Sequence, residues 1–375
     1  FRLNTVGFDE SLAFSGRGAE KNNFLMNLFL QNEEEDKRLP ELYKLNPTAF
    51  EKEISHSKKA LLKELDEFII SEKPSEPFIH VALSNINYNY YSRKELYLSS
   101  KKAASSHKQI QYPENFFTYR DSIQLNDNAL KDYYTYYQFI NRYLDNLTYQ
   151  GHTKKEPTFN KISYWHQTQK LRLIDSLITN KQLHDNLLHN TVKRYLVHAD
   201  DTKKEQDLVA LFKEMNHNKD HQKEVDRYAH NTAKINAGEL IPNLALITAD
   251  NEIISLQKIN ATKAVFFFWN SESVKHYKEI HVRIADLKTK YPEYTFIGIN
   301  TGSEFEAWKK TVINSGYNQA NEYQLKNSTA AKNALFINSA NKAMIVDKGG
   351  IILEGNSNLF NQNFESLLLG YLNKK

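Results

Sequence analysis

The sequence predicts an α+β protein with a mostly helical N-terminal domain and a C-terminal α/β domain, whose central mixed sheet is flanked by helices. Glycine gives the first indication, because four of the twelve glycines lie in residues 1–235 and eight in the rest of the chain. Long helices disfavour glycine, whereas α/β folds use it at turns and helix ends. Apolar residues also change from a helical period to short continuous runs beyond Gly238, so we place the domain boundary there.

The composition limits the classes of function. A chain of 375 residues exceeds what one hydrophobic core usually organises, which favours two domains. The 49 basic and 45 acidic residues are interspersed, so no basic patch predicts nucleic-acid binding. No run of 18 apolar residues is present, and we predict no transmembrane segment. The absence of cysteine excludes disulfides, thiolate metal sites and cysteine nucleophiles.

Residues 1–18 are predicted to form two short strands around Gly7, with Phe1 and Phe14 among the apolar positions. Two strands alone are barely stable, so we interpret them as an edge hairpin or as the remnant of an N-terminal β region. The chain begins without methionine and without a charged and apolar leader. We expect that a leader has been removed or that the N-terminus is missing, together with any membrane anchor.

Residues 19–237 predict a helical domain built from short helices. One amphipathic segment starts near Phe50 and ends before Pro74, and the next starts at Pro77. A third is expected from about Asp127 to Gly151. Later segments with the same period lie at about residues 160–180, 182–198, 204–216 and 219–236. No fixed repeat is found, so a solenoid is not predicted.

Residues 238–375 predict a sheet with crossover helices. A hairpin turns at Asp250 and Asn251, and two apolar runs, AVFFFW and TFIGIN, predict buried strands that are each followed by a helix. A second hairpin turns at residues 348–350, and a last helix covers about residues 361–372. The predicted order is therefore β-hairpin, β, α, β, α, β-hairpin, α.

This order resembles the TlpA- and ResA-like branch of the thioredoxin superfamily. GELIPNLAL (residues 238–246) is similar to the opening strand of that family, AVFFFW to the strand before its active site, and MIVDKGGII (residues 344–352) to its late hairpin. Trp308 falls in the second crossover helix, where relatives often carry a tryptophan. Upstream, AFSGRGAEKNNFL (residues 13–25) and the helical region resemble multidomain TlpA-like proteins of Bacteroidetes. The resemblance spans nearly the whole chain and implies a thioredoxin-like domain at residues 238–375.

The same resemblance locates a degenerate redox site. In the family, C-x-x-C opens the helix after the active-site strand, and those two positions hold Ser273 and His276 here. A cis-proline faces the cysteines in the family, whereas Asn341 occupies that position and no proline lies in residues 293–375. We expect a trans peptide bond before Asn341, since a non-proline cis bond costs about 2.5–4 kcal/mol. Because neither cysteine of the pair is present, thiol–disulfide exchange is excluded.

Two interpretations of these positions remain open. An enzyme with non-thiol chemistry would need a base against the Ser273 hydroxyl, and it predicts that Ser273, His276 and Glu272 converge in a pocket. In the simpler alternative, Ser273 caps the helix and His276 is a surface residue. Trp269 and Glu272 are the candidate residues for the lining of the former redox groove.

No metal or cofactor is predicted. His217 and His221 have a spacing that binds metals when it lies on a helix, but Asn216 and Asn218 favour a turn there, and no third ligand is evident. No nucleotide-binding, zinc-protease or serine-hydrolase motif is present.

Tyrosines are concentrated in two predicted helices of the helical domain. They lie at residues 88, 90, 91, 133, 134, 136, 137, 143 and 149. Such density predicts either exposed rings that bind a ligand or glycan, or rings that pack between elements.

From these observations we expect a non-catalytic binding or assembly module of the periplasm or the outer-membrane periphery, within a larger envelope complex. Its partners would be proteins, with no nucleic acid. Membrane association, as in a lipoprotein, would depend on the removed or missing N-terminal anchor. The alternatives are an enzyme with non-thiol chemistry in the former groove, and ligand binding by the tyrosine-rich helices.

Overall fold

The computed structural model describes residues 12–104, 110–150, 159–199, 201–259 and 262–373. Most of the hairpin predicted at residues 1–18 lies outside these residues, as does Gly151. The chain divides into two compact units, Phe1–Thr191 and Val192–Lys375. The domain limit predicted at residues 237 and 238 falls inside the second unit and stays a prediction about domain organisation.

The first unit is helical, as the glycine-poor sequence predicts. Its helices are α1 (Ala19–Leu42), α2 (Pro47–Glu72), α3 (Glu76–Ala104), α4 (Tyr134–Gln150) and α5 (Tyr164–Leu177), with a 3₁₀ helix at Glu114–Ser122. The start of α2 follows from local chemistry, because the side chain of Asn46 accepts a hydrogen bond from the backbone N–H of Ala49 and proline occupies the first helical position. Lys73 follows the last residue of the helix, has a left-handed backbone conformation and precedes Pro74, which cannot continue the helix.

One helix of this unit starts later than predicted. The third helix was expected from about Asp127, whereas α4 begins at Tyr134. The Asp127 carboxylate accepts a hydrogen bond from the N–H of Ala129, which closes a turn, and the N–H of Asp127 donates to the Tyr136 hydroxyl. Asp and Asn side chains compete with the helical hydrogen bonds in this way, so the chain turns before it becomes helical.

The second unit contains the end of one helix, a helical pair and the sheet. Helix α6 (Lys181–His198) runs across the division, followed by α7 (Thr202–Met215) and α8 (Lys219–Ala233). The later helices are α9 (Val274–Lys290), α10 (Phe305–Asn314), α11 (Ser328–Ala334) and α12 (Phe364–Asn373). The strands are β1 (Ala245–Ile247), β2 (Ile253–Ser255), β3 (Ala264–Trp269), β4 (Thr295–Asn300), β5 (Glu322–Leu325), β6 (Lys342–Val346) and β7 (Ile352–Asn358).

The seven strands form one mixed sheet in the order β2-β1-β5-β4-β3-β6-β7. Strands β3 and β4 are parallel neighbours joined through α9, and β6 and β7 are an antiparallel pair beside β3, followed by α12. A βαβ unit followed by a ββα unit in one sheet is the thioredoxin-like arrangement, and the predicted fold class is confirmed. Strand β5 and helix α11 were not predicted from the sequence.

The core of this unit lies on both faces of β3, which explains its continuous apolar sequence. Phe266 and Phe268 pack into the cluster on one face, and Val265, Phe267 and Trp269 into the cluster on the other. The second cluster contains the buried faces of α9, α10 and α12. Strand β3 is thereby fixed, and its C-terminal end positions the loop that leads to α9.

Among the residues that the structure describes, no helix has both the length and the apolar content needed to cross a bilayer.

Candidate functional site

The loop between β3 and α9 contains the positions that the resemblance assigns to the redox site. The Asn270 carbonyl accepts a hydrogen bond from the Ser273 N–H at 3.0 Å, and its side-chain oxygen accepts one from the Glu272 N–H at 3.0 Å. The Asn300 side chain, at the end of the neighbouring strand β4, accepts one from the Ser271 N–H at 3.1 Å. Three hydrogen bonds therefore fix the entry of the chain into α9.

Ser273 lies directly before α9 and is exposed. Its side chain does not cap the helix, so the capping role considered from the sequence is absent. Its hydroxyl forms no hydrogen bond with another residue that the structure describes.

His276 and Asn341 come together across the site. The Nε2 atom of His276 lies 3.1 Å from Oδ1 of Asn341, and both residues are half-buried. Since an amide oxygen only accepts, the geometry has Nε2–H donating to it. The peptide bond before Asn341 is trans, as expected. A hydrogen bond thus joins the positions that the resemblance assigns to the second cysteine and the cis-proline.

The set of residues required by the enzyme alternative does not assemble. Glu272 is exposed and lies outside the groove, although the sequence placed it in the lining, because the loop turns its residue toward solvent. His276 is bonded to Asn341, and no hydrogen bond between described residues links it to Ser273. A hydroxyl without a base in contact is not activated as a nucleophile.

The groove itself encloses about 420 Å³ beside the hydrogen bond between His276 and Asn341. Its lining combines apolar rings and aliphatic groups with neutral polar groups and one lysine: Phe268, Trp269, Asn270, Ser273, His276, Thr301, Lys332, Ile337, Asn338, Ser339 and Ala340. Trp269 is in this lining, where the sequence placed it. An apolar floor with a few convergent polar groups is the usual composition of a binding site.

A buried polar cluster holds the Trp269 ring by a hydrogen bond. The indole N–H of Trp269 donates to the Glu322 carboxylate at 2.9 Å, and Nε2 of His281 lies 3.3 Å from the other carboxylate oxygen. The His281 ring stacks on Tyr317 with centroids 3.6 Å apart. Gly298 leaves room for the carboxylate, since a Cβ atom there would lie 2.1 Å from it. Sequence reasoning missed this cluster, because its members come from separate elements.

The two histidines considered as metal ligands do not share a helix. Asn216 ends α7 and Asn218 caps α8, so His217 lies in the turn between them. The Asn218 side chain accepts hydrogen bonds from the N–H groups of Asp220 and His221, which favours the turn interpretation. Among the described residues, no group of three His, Asp or Glu side chains could hold a metal ion.

The tyrosines of the first unit mostly pack between α3 and α4. Tyr88 and Tyr136 are buried with ring centroids 4.9 Å apart, and Tyr91 stacks on Tyr119 at 5.0 Å. Tyr134 is the exception in this group, with 72% of its surface exposed. A groove lined by exposed rings, which the ligand-binding alternative requires, is not formed by these residues.

Comparison with known proteins finds distant structural neighbours. No family model and no curated protein matches the chain. Among solved structures, the chain is similar to the thioredoxin domain of a thiol-disulfide oxidoreductase from Bacteroides vulgatus, with 17% identity over 36% of this chain and 98% of that chain, and a TM-score of 0.30. It is also similar to a thioredoxin-like protein from Bacteroides caccae, with 13% identity over 61% of this chain and 92% of that chain, and a TM-score of 0.35. Because these identities and TM-scores are low, the fold is assigned from the strand order and the connections of the chain itself.

Proposed function

We propose that the protein is a non-catalytic thioredoxin-like binding module that uses the former redox groove to hold a protein partner. The observation that carries this proposal is the hydrogen bond between His276 and Asn341, which joins the positions that the resemblance assigns to the second cysteine and the cis-proline, beside an open groove. The absence of cysteine removes thiol–disulfide exchange from this groove.

The cellular setting belongs to the same proposal. We place the module in the periplasm or at the outer membrane, as one subunit of an envelope complex. The resemblance to multidomain TlpA-like proteins supports this location. Fractionation of cells that produce the protein tests the location directly, and recovery of the protein in the cytoplasmic fraction would contradict it.

A comparison of two tryptophan variants tests the use of the groove. Ser339→Trp places a large ring at the groove wall on an exposed residue, whereas Glu306→Trp places the same ring on an exposed position of α10 outside the lining. Each tagged variant is produced at native level and its co-purifying proteins are quantified against the unmodified chain. We expect Ser339→Trp to lose a partner that Glu306→Trp retains. Identical partners at identical yields in all three preparations would contradict the proposal.

Catalysis by the purified chain is tested with the reduction of insulin. We expect no turnover above the rate in buffer with dithiothreitol alone. Turnover above that background would contradict a non-catalytic role.

A further inference from the structure

Several polar groups that line the groove can donate hydrogen bonds that no described residue accepts. Asn270 uses its side-chain oxygen within the loop, which leaves its NH₂ group unpaired among the described residues. The Ser273 hydroxyl and the Asn338 side chain likewise form no hydrogen bond with another described residue. A site with unused donors favours a ligand that brings acceptors.

The charge of the groove lining is positive. Lys332 is exposed at the rim and forms no ion pair with a described residue. No aspartate or glutamate is among the lining residues. The groove also lies at the N-terminal end of α9, where the helix dipole adds a partial positive charge. An anionic group is therefore complementary to this lining.

The floor of the groove limits which anion fits. Its accessible apolar surface comes from Ile337 and Ala340, whereas Phe268 and Trp269 line it but are almost fully buried, so an anion attached to an apolar group fits this lining. Lys332 is the one charged residue in the lining and no arginine is there to bind a phosphate in bidentate fashion, so a singly charged anion matches the charge better than a phosphate of about −2. One lysine and a row of neutral donors match a single carboxylate.

We infer that the groove captures the C-terminal carboxylate of a polypeptide whose last residue is apolar. The carboxylate pairs with Lys332, the last side chain lies on Ile337 and Ala340, and the preceding amides meet the polar wall at Asn338 and Ser339. An acyl chain would leave that wall unpaired, which favours a peptide. This inference rests on the proposed function and names the chemistry of its partner.

The test uses the full chain and a fluorescein-labelled peptide, Ala-Ala-Ala-Phe, in two forms. Binding is followed by fluorescence anisotropy for the free acid and for the C-terminal amide, with laurate as a competitor that has a carboxylate but no amides. We expect the free acid to bind at least about tenfold more tightly than the amide. We also expect laurate to compete more weakly than the unlabelled free acid.

Two lysine variants make the test specific to the groove. Lys332→Met should weaken binding of the free acid about tenfold and leave binding of the amide unchanged, whereas Lys310→Met on α10 should change neither. Equal binding of acid and amide, no binding of the acid at millimolar concentration, or stronger competition by laurate would each overturn the inference. If Ser339→Trp still loses its partner in those cases, the proposed function stands and only the carboxylate specificity fails.

Discussion

At the scale of single residues, the C-terminal unit is notable for polar groups buried where the surrounding sheet is apolar. Glu322 and Lys342 are both almost fully buried, on strands β5 and β6. Glu322 is satisfied by Trp269 and His281, whereas Lys342 has one neutral partner, the Asn356 side chain, at 3.0 Å. Buried polar groups are costly unless they are paired. Disturbing the contacts of Glu322 should therefore destabilise the protein, whereas replacing Lys342 by an apolar residue should stabilise it where the amine is charged.

The close packing of Gly298 against Glu322 predicts a large effect of a single methyl group. In Gly298→Ala the new Cβ would lie 2.1 Å from the Glu322 carboxylate, so the carboxylate must move away from Trp269. We expect a loss of roughly 1–3 kcal/mol in the free energy of unfolding, measured by urea denaturation with tryptophan fluorescence. Gly370→Ala in α12, where a Cβ meets open space, is the control and should be neutral or slightly stabilising. Equal stability of the two variants would contradict the packing described.

Burial of Lys342 predicts stability that depends on pH. Desolvation lowers its pKa from 10.5 to about 7, although the negative charge of Glu354 opposes the shift. Between these two values the unfolded chain keeps a proton that the folded chain has lost. The free energy of unfolding therefore rises with pH from about 7 towards 10.5, with a slope of up to about 1.4 kcal/mol per pH unit from this group.

Replacement of Lys342 tests the predicted rise of the free energy of unfolding with pH. Lys342→Met should be more stable than the unmodified chain at pH 6, where the buried amine is charged, and this advantage should shrink by pH 9. The urea midpoint followed by tryptophan fluorescence at pH 6, 7.5 and 9 measures the effect. The exposed Lys310→Met serves as the control and should follow the unmodified chain. A constant difference across this range would show that Lys342 does not titrate there.

At the scale of elements, a buried ion pair links α4 and α5 in the helical unit. Lys170 Nζ lies 2.5 Å from the Asp145 carboxylate, and Nε2 of His166 lies 3.3 Å from the same oxygen. Burial alone would raise the pKa of Asp145, but the positive charge of Lys170 and the hydrogen bond with His166 outweigh it and hold the pKa well below its ordinary value. The carboxylate therefore stays ionised between the two helices.

Removing one partner of this pair should be more harmful than removing both. Lys170→Met removes the nearest cation of the buried carboxylate, and we expect a loss of about 3–5 kcal/mol in the free energy of unfolding. The double variant Asp145→Leu with Lys170→Met should recover part of that loss. Lys161 reaches the same carboxylate only at 4.0 Å and is more exposed, so Lys161→Met should cost less than about 1 kcal/mol. Urea denaturation followed by circular dichroism measures all three, and equal losses would contradict the account.

The first turn of α9 predicts that a redox site can be restored. Ser273 and His276 are three residues apart at the start of the helix, a spacing that brings side chains together. We expect the variant Ser273→Cys with His276→Cys to form an intramolecular disulfide on oxidation, detected by mass spectrometry after alkylation. The helix N-terminus should lower the pKa of the first thiol. Each single variant is the control, and two alkylated thiols in the oxidised double variant would contradict the assignment of these positions.

The sequence predicted those elements whose hydrophobic pattern is strong. The bounds of β3 and β4 agree with the two apolar runs, because strands buried on both faces need apolar residues throughout. Strand β5 was missed because its sequence, EYQL, has no such run: Glu322 is buried against Trp269, and Gln324 against Asn300. A buried polar residue with a partner from a distant element has no signal in local sequence.

The candidate site was predictable only in part for the same reason. Ser273, His276 and Asn341 followed from the resemblance, and the trans bond before Asn341 from the cost of a cis bond. The hydrogen bond between His276 and Asn341 joins residues 65 positions apart and depends on the sheet order. Lys332 escaped notice because it lies on α11, a short helix without a periodic apolar pattern.

At the scale of the whole molecule, one chain of 375 residues without cysteine combines a helical unit and a thioredoxin-like unit. The thioredoxin-like unit has a seven-stranded mixed sheet and a groove, and a hydrogen bond between His276 and Asn341 lies beside that groove. The central claim is that this groove is a contact surface for a partner.

Site-specific photo-cross-linking tests that claim most directly. A photoreactive benzoylphenylalanine is placed at Ser273 on the groove, or at the exposed Glu306 on α10 as the control, and the cells that produce the protein at native level are irradiated. We predict a defined adduct with a single partner from position 273 and none with that partner from position 306. No adduct from position 273, or the same adducts at equal yield from both positions, would contradict a groove that serves for binding.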